Sequence, residues 1–219
     1  MSDDQFNVAF ERVIGHEGGL SRRPSDRGNW TSGKVGVGTL KGTKYGVSAM
    51  AYPHLDIANL TLDDARAIYE RDYWKRAGCD LLPAGLSYAQ FDVAVNQGVG
   101  DAIRFLQKAV GTGADGIIGP NTRRKIAAAD PAHTLREMTA RRIFDYMLLD
   151  HLDDEYGFGW ARRAVDVLTA ALRDMGSYTP EPMLAGPDAL LAAYMNHAEI
   201  SEGSARYRIA GALREIGHE

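Results

Sequence analysis

The chain has 219 residues, of which 45% are hydrophobic and 25% are charged, so it contains enough apolar material for one large or two small globular domains. Its formal net charge of −4 argues against a nucleic-acid partner. The single cysteine, Cys79, excludes an internal disulfide and a multi-cysteine zinc site. The sequence contains neither a membrane span nor the pattern of a signal peptide at its start, so we expect synthesis in the cytoplasm.

The first predicted element is a helix over about Asp4 to His16, followed by a Gly-Gly pair. Its apolar stripe includes Phe10 and Val13, and the same spacing places Glu17 on that inward face. The negative end of a helix dipole disfavours an ionised carboxylate, so we expect a raised pKa for Glu17. A carboxylic acid that stays protonated near neutral pH is suited to general acid catalysis. The alternative is an ordinary surface glutamate before a glycine cap.

A long glycine-rich stretch, residues 18–53, follows the first helix, and a loop of this length is usually functional or disordered. Between Gly18 and Gly46 there are six basic residues and one acid, a net charge of +5. This excess favours an anionic substrate, although an incidental solvated loop explains it equally well. The alternation of valine and glycine over Val35–Gly38 predicts a short β hairpin.

Glu17 needs partners before it forms a mechanism. Asp26 lies in a turn-forming sequence that brings its carboxylate back toward the helix end, and Thr31 and Thr43 supply hydroxyl groups. An acid, a second carboxylate and a hydroxyl that together hold a water form a minimal inverting glycosidase site. A zinc peptidase is disfavoured because Leu20 stands where the second histidine of its motif is required. We therefore expect no metal and no cofactor.

Helix-start signals recur through the rest of the chain. They are Thr61 with Asp64, Ser87 with Gln90 as a capping box, Pro120, and Asp130 with Pro131, and a further helix is predicted from about Gly159 to Met175. The expected fold is mainly α with a small β hairpin near the active site. We expect a catalytic part over residues 1–80, a closely packed helical part over 81–178, and a helical tail of unknown role over 179–219.

Six segments of the chain form an ordered series of motifs: His16–Ser21, Asp26–Asn29, Thr43–Ser48, Tyr69–Trp74, Phe91–Gly98 and Ala114–Thr122. In this order they resemble the glycoside hydrolase family 108 muramidases, which are phage endolysins and bacterial cell-wall hydrolases with a lysozyme-like fold. The last of them looks like the peptidoglycan-binding region that follows in this family. The resemblance implies a lysozyme-like fold and peptidoglycan as the partner.

Carried over to this sequence, the resemblance implies that Glu17 is the catalytic acid. Typical members have the aspartate turn close to the threonine, whereas residues 30–42 separate them here, so the choice between Thr31 and Thr43 stays open. Thr43 is favoured because it is followed by the Tyr-Gly-Val-Ser sequence at residues 45–48. Sugars are held by aromatic faces and by amide or carboxylate groups. The candidates for substrate binding are Trp30, Tyr45, Tyr73, Asp92 and Asn96. Structural roles compete for several of them, since Asn96 could instead cap its helix.

The expected reaction is hydrolysis of the β-1,4 bond between N-acetylmuramic acid and N-acetylglucosamine, in phage-type host lysis. Inversion is expected because no second carboxylate stands out as a nucleophile. The alternatives are a non-catalytic peptidoglycan-binding protein and an accessory of wall remodelling or secretion. For the enzyme we expect action on the cell wall, in the periplasm, after release through a separate holin or export system.

Overall fold

A helix buried on nearly every face, α3 (Leu86–Gln97), lies at the centre of the fold. The computed structural model describes residues 2–14, 19–148 and 157–176. Around α3 the described ranges contain α1 (Ser2–Ile14), α2 (Leu62–Tyr69), α4 (Val99–Ala109), α5 (Pro120–Ala128), α6 (Pro131–Met147) and α7 (Phe158–Asp174). Helices α1, α4, α6 and α7 all pack against α3. These four helices cover α3 on most of its faces, so even its polar residues Ser87, Gln90 and Asp92 are buried.

Aromatic rings join α1 to the central helix. The Phe6 ring lies 5.5 Å from the Trp74 ring and 5.9 Å from the Phe91 ring between centroids, both in edge-to-face arrangements. The Phe10 ring lies 5.7 Å from Tyr69 in the same geometry. Edge-to-face pairs add stabilisation to the burial of the rings themselves. The inward face predicted for α1 is therefore confirmed for the stripe that contains Phe10.

The chain's β structure, within the described ranges, is one antiparallel hairpin of β1 (Thr43–Lys44) and β2 (Val47–Ser48). Its two-residue loop, Tyr45–Gly46, has positive φ angles of 51° and 75°. Two successive positive φ angles are the signature of the tight turn whose twist suits a hairpin. The hairpin sits beside the end of α1, and both line the same cleft.

The prediction of a hairpin at Val35–Gly38 was wrong. Gly36 and Gly38 have φ angles of 77° and 80°, and the valines beside them are more than half exposed. Left-handed glycines reverse the chain instead of extending it, so the valine–glycine alternation here marks a turn.

Most of the helix-start signals are confirmed. The Thr61 side chain accepts from the Asp64 backbone, and the Asp64 carboxylate accepts from the Thr61 backbone, which is a complete capping box. Pro120 and Pro131 begin α5 and α6, and α7 closely follows the predicted bounds.

The capping box predicted at Ser87 and Gln90 was wrong. Helix α3 begins after Gly85, whose φ is 82°, and both polar side chains are buried inside the helix. Gln90 donates its amide to the Ala77 carbonyl oxygen at 3.0 Å instead of capping the helix start.

The observed architecture confirms the mainly helical class with a small antiparallel hairpin. Met1–Tyr178 form one compact unit. The described residues do not include the last part of the predicted first helix, Glu17, or the predicted tail over 179–219. None of the helices that are described is both long and apolar enough to cross a membrane.

Candidate active site

An open cleft of about 600 Å³ lies between the end of α1, the hairpin, α3 and α7. Its described lining comprises Val13, Ile14, Gly19, Ser21, Thr43, Tyr45, Gly46, Tyr69, Val95, Asn96 and Arg163. Three sequence-predicted site residues, Thr43, Tyr45 and Asn96, meet in this cleft. Ile14 and Gly19, which stand on either side of residues 15–18 in the sequence, line it as well.

The Thr43 hydroxyl is held in place by a buried asparagine. Its Oγ1 donates to Oδ1 of Asn29 at 2.7 Å, and Nδ2 of Asn29 donates to the Arg23 carbonyl oxygen at 3.0 Å. Asn29 is fully buried, and its own carbonyl oxygen accepts from the backbone of Lys41 and Gly42. Because the hydroxyl proton is committed to Asn29, the lone pairs of Oγ1 are left to accept a hydrogen bond from a ligand or water.

Asp26 takes a different position from the one expected of a catalytic partner. It is exposed, and Oδ1 accepts from the Gly28 backbone at 2.8 Å, which caps the short 3-10 helix Arg27–Asn29. It is not among the residues that line the cleft. In this structure Asp26 shapes the turn that delivers Asn29 to Thr43.

Thr31 and Trp30 brace the neighbouring loop. Oγ1 of Thr31 accepts from the Thr39 backbone at 2.9 Å, and the Thr31 backbone donates to the Thr39 carbonyl oxygen at 3.0 Å. Nε1 of Trp30 donates to the Pro24 carbonyl oxygen at 2.8 Å. Neither residue lines the cleft. Of the two candidate hydroxyls, the structure therefore brings only that of Thr43 to it.

Tyr45 and Asn96 line the cleft from different elements. Tyr45 occupies the turn of the hairpin, and the ammonium group of Lys44 lies 5.3 Å from the centroid of its ring. Asn96 is exposed near the end of α3, and its Nδ2 donates to the Asp92 carbonyl oxygen at 2.7 Å. The carbonyl that Asn96 binds lies one turn back inside α3, not among the last four carbonyls that a cap would satisfy, and the residue also lines the cleft.

Tyr73 lines an adjoining cavity instead of the cleft. Its ring stacks on Tyr69 with centroids 5.2 Å apart, and Tyr69 is the residue of the pair that lines the cleft. Tyr73 faces a second cavity of about 470 Å³ together with Tyr52 and Arg76. The two tyrosines separate the two spaces.

Asp92 is buried in an ion-pair cluster. It is 1% exposed, and its carboxylate contacts Arg142 at 2.7 Å and Arg163 at 2.6 Å. The Arg142 side chain is just as inaccessible. The Arg163 side chain is 40% exposed, and it lines the cleft. Burial is the largest single influence on Arg163 and opposes its charge. The hydrogen bond to Asp92 and the attraction of the Asp92 carboxylate, assisted by nearby tyrosines, together outweigh burial and raise the pKa of the guanidinium. A ligand in the cleft can therefore meet Arg163, while Asp92 lies behind it.

Sequence reasoning missed Asn29, Tyr69 and Arg163 as cleft-forming residues. A signal for Arg163 was present, since it precedes the buried Val167 and Ala171 by four and eight residues and so lies on the buried stripe of α7. An arginine on such a stripe requires a buried partner. The basic loop, by contrast, is partly structural, because Lys41 donates to the Pro53 carbonyl oxygen and Lys44 to that of Ala58.

Comparison with known proteins relates part of the chain to a family of glycosyl hydrolases. Residues 10–98, which carry the end of α1, the hairpin and the end of α3, match the sequence model for glycosyl hydrolase 108. These residues form a glycosyl hydrolase 108 domain. This domain supports a glycoside hydrolase of the lysozyme type, and the matched family indicates hydrolysis of peptidoglycan in general.

A solved structure is similar to this chain in fold and sequence. The chain is similar to the structure of Brucella abortus SagA at 27% sequence identity, with a TM-score of 0.64. The similarity covers 81% of this chain and 98% of that chain. A search of curated proteins gives no match.

Proposed function

We propose that this glycosyl hydrolase 108 protein is an N-acetylmuramidase that cleaves the β-1,4 bond between N-acetylmuramic acid and N-acetylglucosamine, with Glu17 as general acid. The observation that carries the proposal is the cleft beside the oriented Thr43 hydroxyl. Ile14 and Gly19, which precede and follow the segment with Glu17, both line that cleft. The Glu-Gly-Gly sequence at this point matches the catalytic motif that the family resemblance implies.

In the proposed reaction, Glu17 gives its proton to the glycosidic oxygen as the bond to the anomeric carbon breaks. A water, hydrogen-bonded to Oγ1 of Thr43, attacks that carbon from the opposite face and releases a proton to bulk water, from which Glu17 is reprotonated for the next turnover. Asn29 supports the reaction by fixing the Thr43 hydroxyl, and Asp26 by shaping the turn before Asn29.

We propose inversion at the anomeric carbon. A retaining enzyme of the usual kind needs a carboxylate close enough to form a covalent bond with the sugar. None of the described residues that line the cleft is an aspartate or a glutamate. Direct attack by water fits this lining better than a two-step route. NMR of the earliest product supports the proposal if the anomer is inverted and refutes the one-step scheme if it is retained.

Mass spectrometry of the fragments released from purified peptidoglycan tests the reaction class. A muramidase creates new reducing ends on N-acetylmuramic acid. New reducing ends on N-acetylglucosamine indicate cleavage of the other glycosidic bond, and new amino termini indicate a peptidase. Either of these last two results refutes the proposal.

A non-catalytic wall-binding role is the second candidate, and the loop at Asp115 favours it. Buried Gln107 donates to Oδ1 of Asp115 at 2.7 Å and accepts from the Gly116 backbone at 2.8 Å, which fixes the loop. Ile117 at its tip is 68% exposed. A sedimentation assay in which the protein binds insoluble peptidoglycan without releasing any fragment would favour this role over hydrolysis.

For the biological role we propose phage-type lysis, in which a separate holin or export system admits the protein to the periplasm. Wall remodelling or secretion by the host is the alternative. Expression inside a bacterium with and without a membrane-permeabilising partner tests this route. Lysis only in the presence of the partner supports it, and lysis without the partner contradicts it.

A further inference from the structure

The cleft contains a single formal charge among its described lining residues, and that charge is the guanidinium of Arg163. Every other described residue of the lining is neutral. A cation at the wall of a sugar-binding cleft is not required for glycosidic hydrolysis itself. Its presence therefore calls for a ligand with a matching charge.

Arg163 is held in a fixed orientation from behind. Its Nη2 and Nε donate to Oδ2 of Asp92 at 2.6 Å and 3.1 Å. A guanidinium bound through two adjacent nitrogens keeps its plane fixed, and its remaining N–H groups stay available for a second partner.

The neighbouring charges leave the cluster positive. Arg142 contacts the other carboxylate oxygen of Asp92 at 2.7 Å and is 2% exposed. Two guanidiniums share one carboxylate, so the cluster has a net charge of +1. Since Arg142 and Asp92 are both inaccessible, the excess charge reaches solvent only through Arg163, at the cleft.

Other nearby cations are already engaged with the protein. The ammonium group of Lys41 donates to the carbonyl oxygens of Pro53 and Leu55, and that of Lys44 donates to the carbonyl oxygen of Ala58. Neither lysine lines the cleft. Arg163 is therefore the cation best placed to meet an anionic group on a bound glycan.

We propose that Arg163 is a specificity-determining residue that binds a carboxylate of the peptidoglycan strand. This inference rests on the proposed muramidase function and defines its substrate more narrowly. Muramic acid differs from glucosamine by a lactyl ether that ends in a carboxyl group. In strands without peptide this carboxyl is free, whereas in intact strands it is amide-linked to a stem peptide that has carboxylates of its own. Both sources offer Arg163 the same chemistry, a bidentate carboxylate partner.

Three kinds of strand distinguish the sources. The first is peptide-free glycan with free lactyl carboxylates, and the second is the same glycan with those carboxyls converted to N-methyl amides. The third is peptide-substituted glycan, tested before and after amidation of the peptide carboxylates. The rate of release of new reducing ends gives kcat/KM for each. We expect the wild-type protein to favour a carboxylate form over its amidated counterpart by about tenfold or more. The pair that shows the preference identifies the lactyl or the peptide source.

Arg163→Gln removes the cation while leaving Asp92 paired with Arg142. We expect it to lower kcat/KM on the preferred carboxylate strand at least tenfold more than on the amidated strand. Arg163→Lys keeps a charge without the planar fork and should recover part of the loss. If Arg163→Gln fails to fold, Arg163→Lys and the wild-type strand comparison still decide the inference.

Arg12→Gln is the matched control. Arg12 also forms an ion pair that joins α7 to another helix, through Asp174, and 35% of its side chain is exposed, but it does not line the cleft. It should change the rates on all strands alike. The same uniform change in Arg163→Gln would overturn the inference, as would equal wild-type rates on charged and amidated strands. A wild-type protein that cuts no strand at all would instead refute the muramidase function.

Discussion

Thr43 and Asn29 join strand β1 to the short 3-10 helix Arg27–Asn29 through a 2.7 Å hydrogen bond from hydroxyl to carboxamide oxygen. Asn29 is buried and has a second partner in the Arg23 carbonyl oxygen, so it fixes the direction of the Thr43 hydroxyl. A hydroxyl oriented in this way can position water without first losing rotational freedom. This contact links the local fold of the 18–53 stretch to its chemistry.

Thr43→Val keeps the shape of the side chain but removes the hydroxyl, so we expect kcat to fall by about 10²-fold because the attacking water loses its orientation. Thr43→Ser retains the hydroxyl and should keep most of the activity. Thr31→Val is the control, because its hydroxyl serves the Thr39 backbone. It should cost about 1 kcal/mol of unfolding free energy with little change in kcat. The reverse pattern would make Thr31 the functional hydroxyl.

The hairpin depends on Gly46 for two separate reasons. A Cβ at Gly46 would lie 2.2 Å from the hydroxyl oxygen of Tyr69, and φ there is 75°. Gly36 has nearly the same φ, 77°, but no atom within 4 Å of a Cβ. We expect Gly36→Ala to cost about 1–2 kcal/mol from backbone strain alone, and Gly46→Ala to cost more. Urea unfolding measures both, and equal losses would show that the contact with Tyr69 is unimportant.

Local signals were sufficient for much of the fold. The capping box at Thr61 and the prolines at 120 and 131 act within one helical turn, and their predictions hold. Ser87 and Gln90 carry the same local pattern, but the central position of α3 buries both side chains, and Gln90 binds a carbonyl thirteen residues away. Where the local pattern allowed either a helix cap or a buried position, burial in the tertiary structure decided between them.

The site was less accessible to sequence reasoning because its contacts are long-range. Asp92 was predicted to touch sugar, yet its partner Arg163 lies 71 residues further along the chain. The Thr43–Asn29 bond spans 14 residues across an irregular loop, and no periodicity reports on such a contact. The residue types of the site were readable, but their pairing required the fold.

Arg142→Met should be strongly destabilising. It leaves the carboxylate of Asp92, which is 1% exposed, with Arg163 as its one charged partner, and breaking a buried ion pair typically costs about 3–5 kcal/mol. Arg141→Met, on the same helix, removes an exposed pair with Glu137 and should cost less than about 1 kcal/mol. Denaturant unfolding compares the two variants. Similar losses of unfolding free energy in the two variants would show that burial of the ion-pair cluster contributes nothing to stability.

The buried phenol of Tyr69 should lower the free energy of unfolding at high pH. Its burial, assisted by Tyr73, raises the pKa of the phenol in the folded protein above its usual value. A raised folded pKa means that this stabilisation is complete below about pH 10, where the unfolded phenol is also protonated, and is lost as the pH rises further. Tyr69→Phe should weaken the decline in unfolding free energy above pH 10. An unchanged slope in the variant would contradict this assignment.

The activity of Glu17→Gln on purified peptidoglycan, measured as new reducing ends, is the most direct test of Glu17 as the catalytic acid. Glutamine keeps the size of the side chain but cannot donate the acidic proton, so we expect an unchanged melting temperature and loss of nearly all activity. Glu11→Gln, the same change at an exposed position on α1, should retain full activity. Full activity in Glu17→Gln would contradict the assignment of the catalytic acid and, with it, the proposed mechanism.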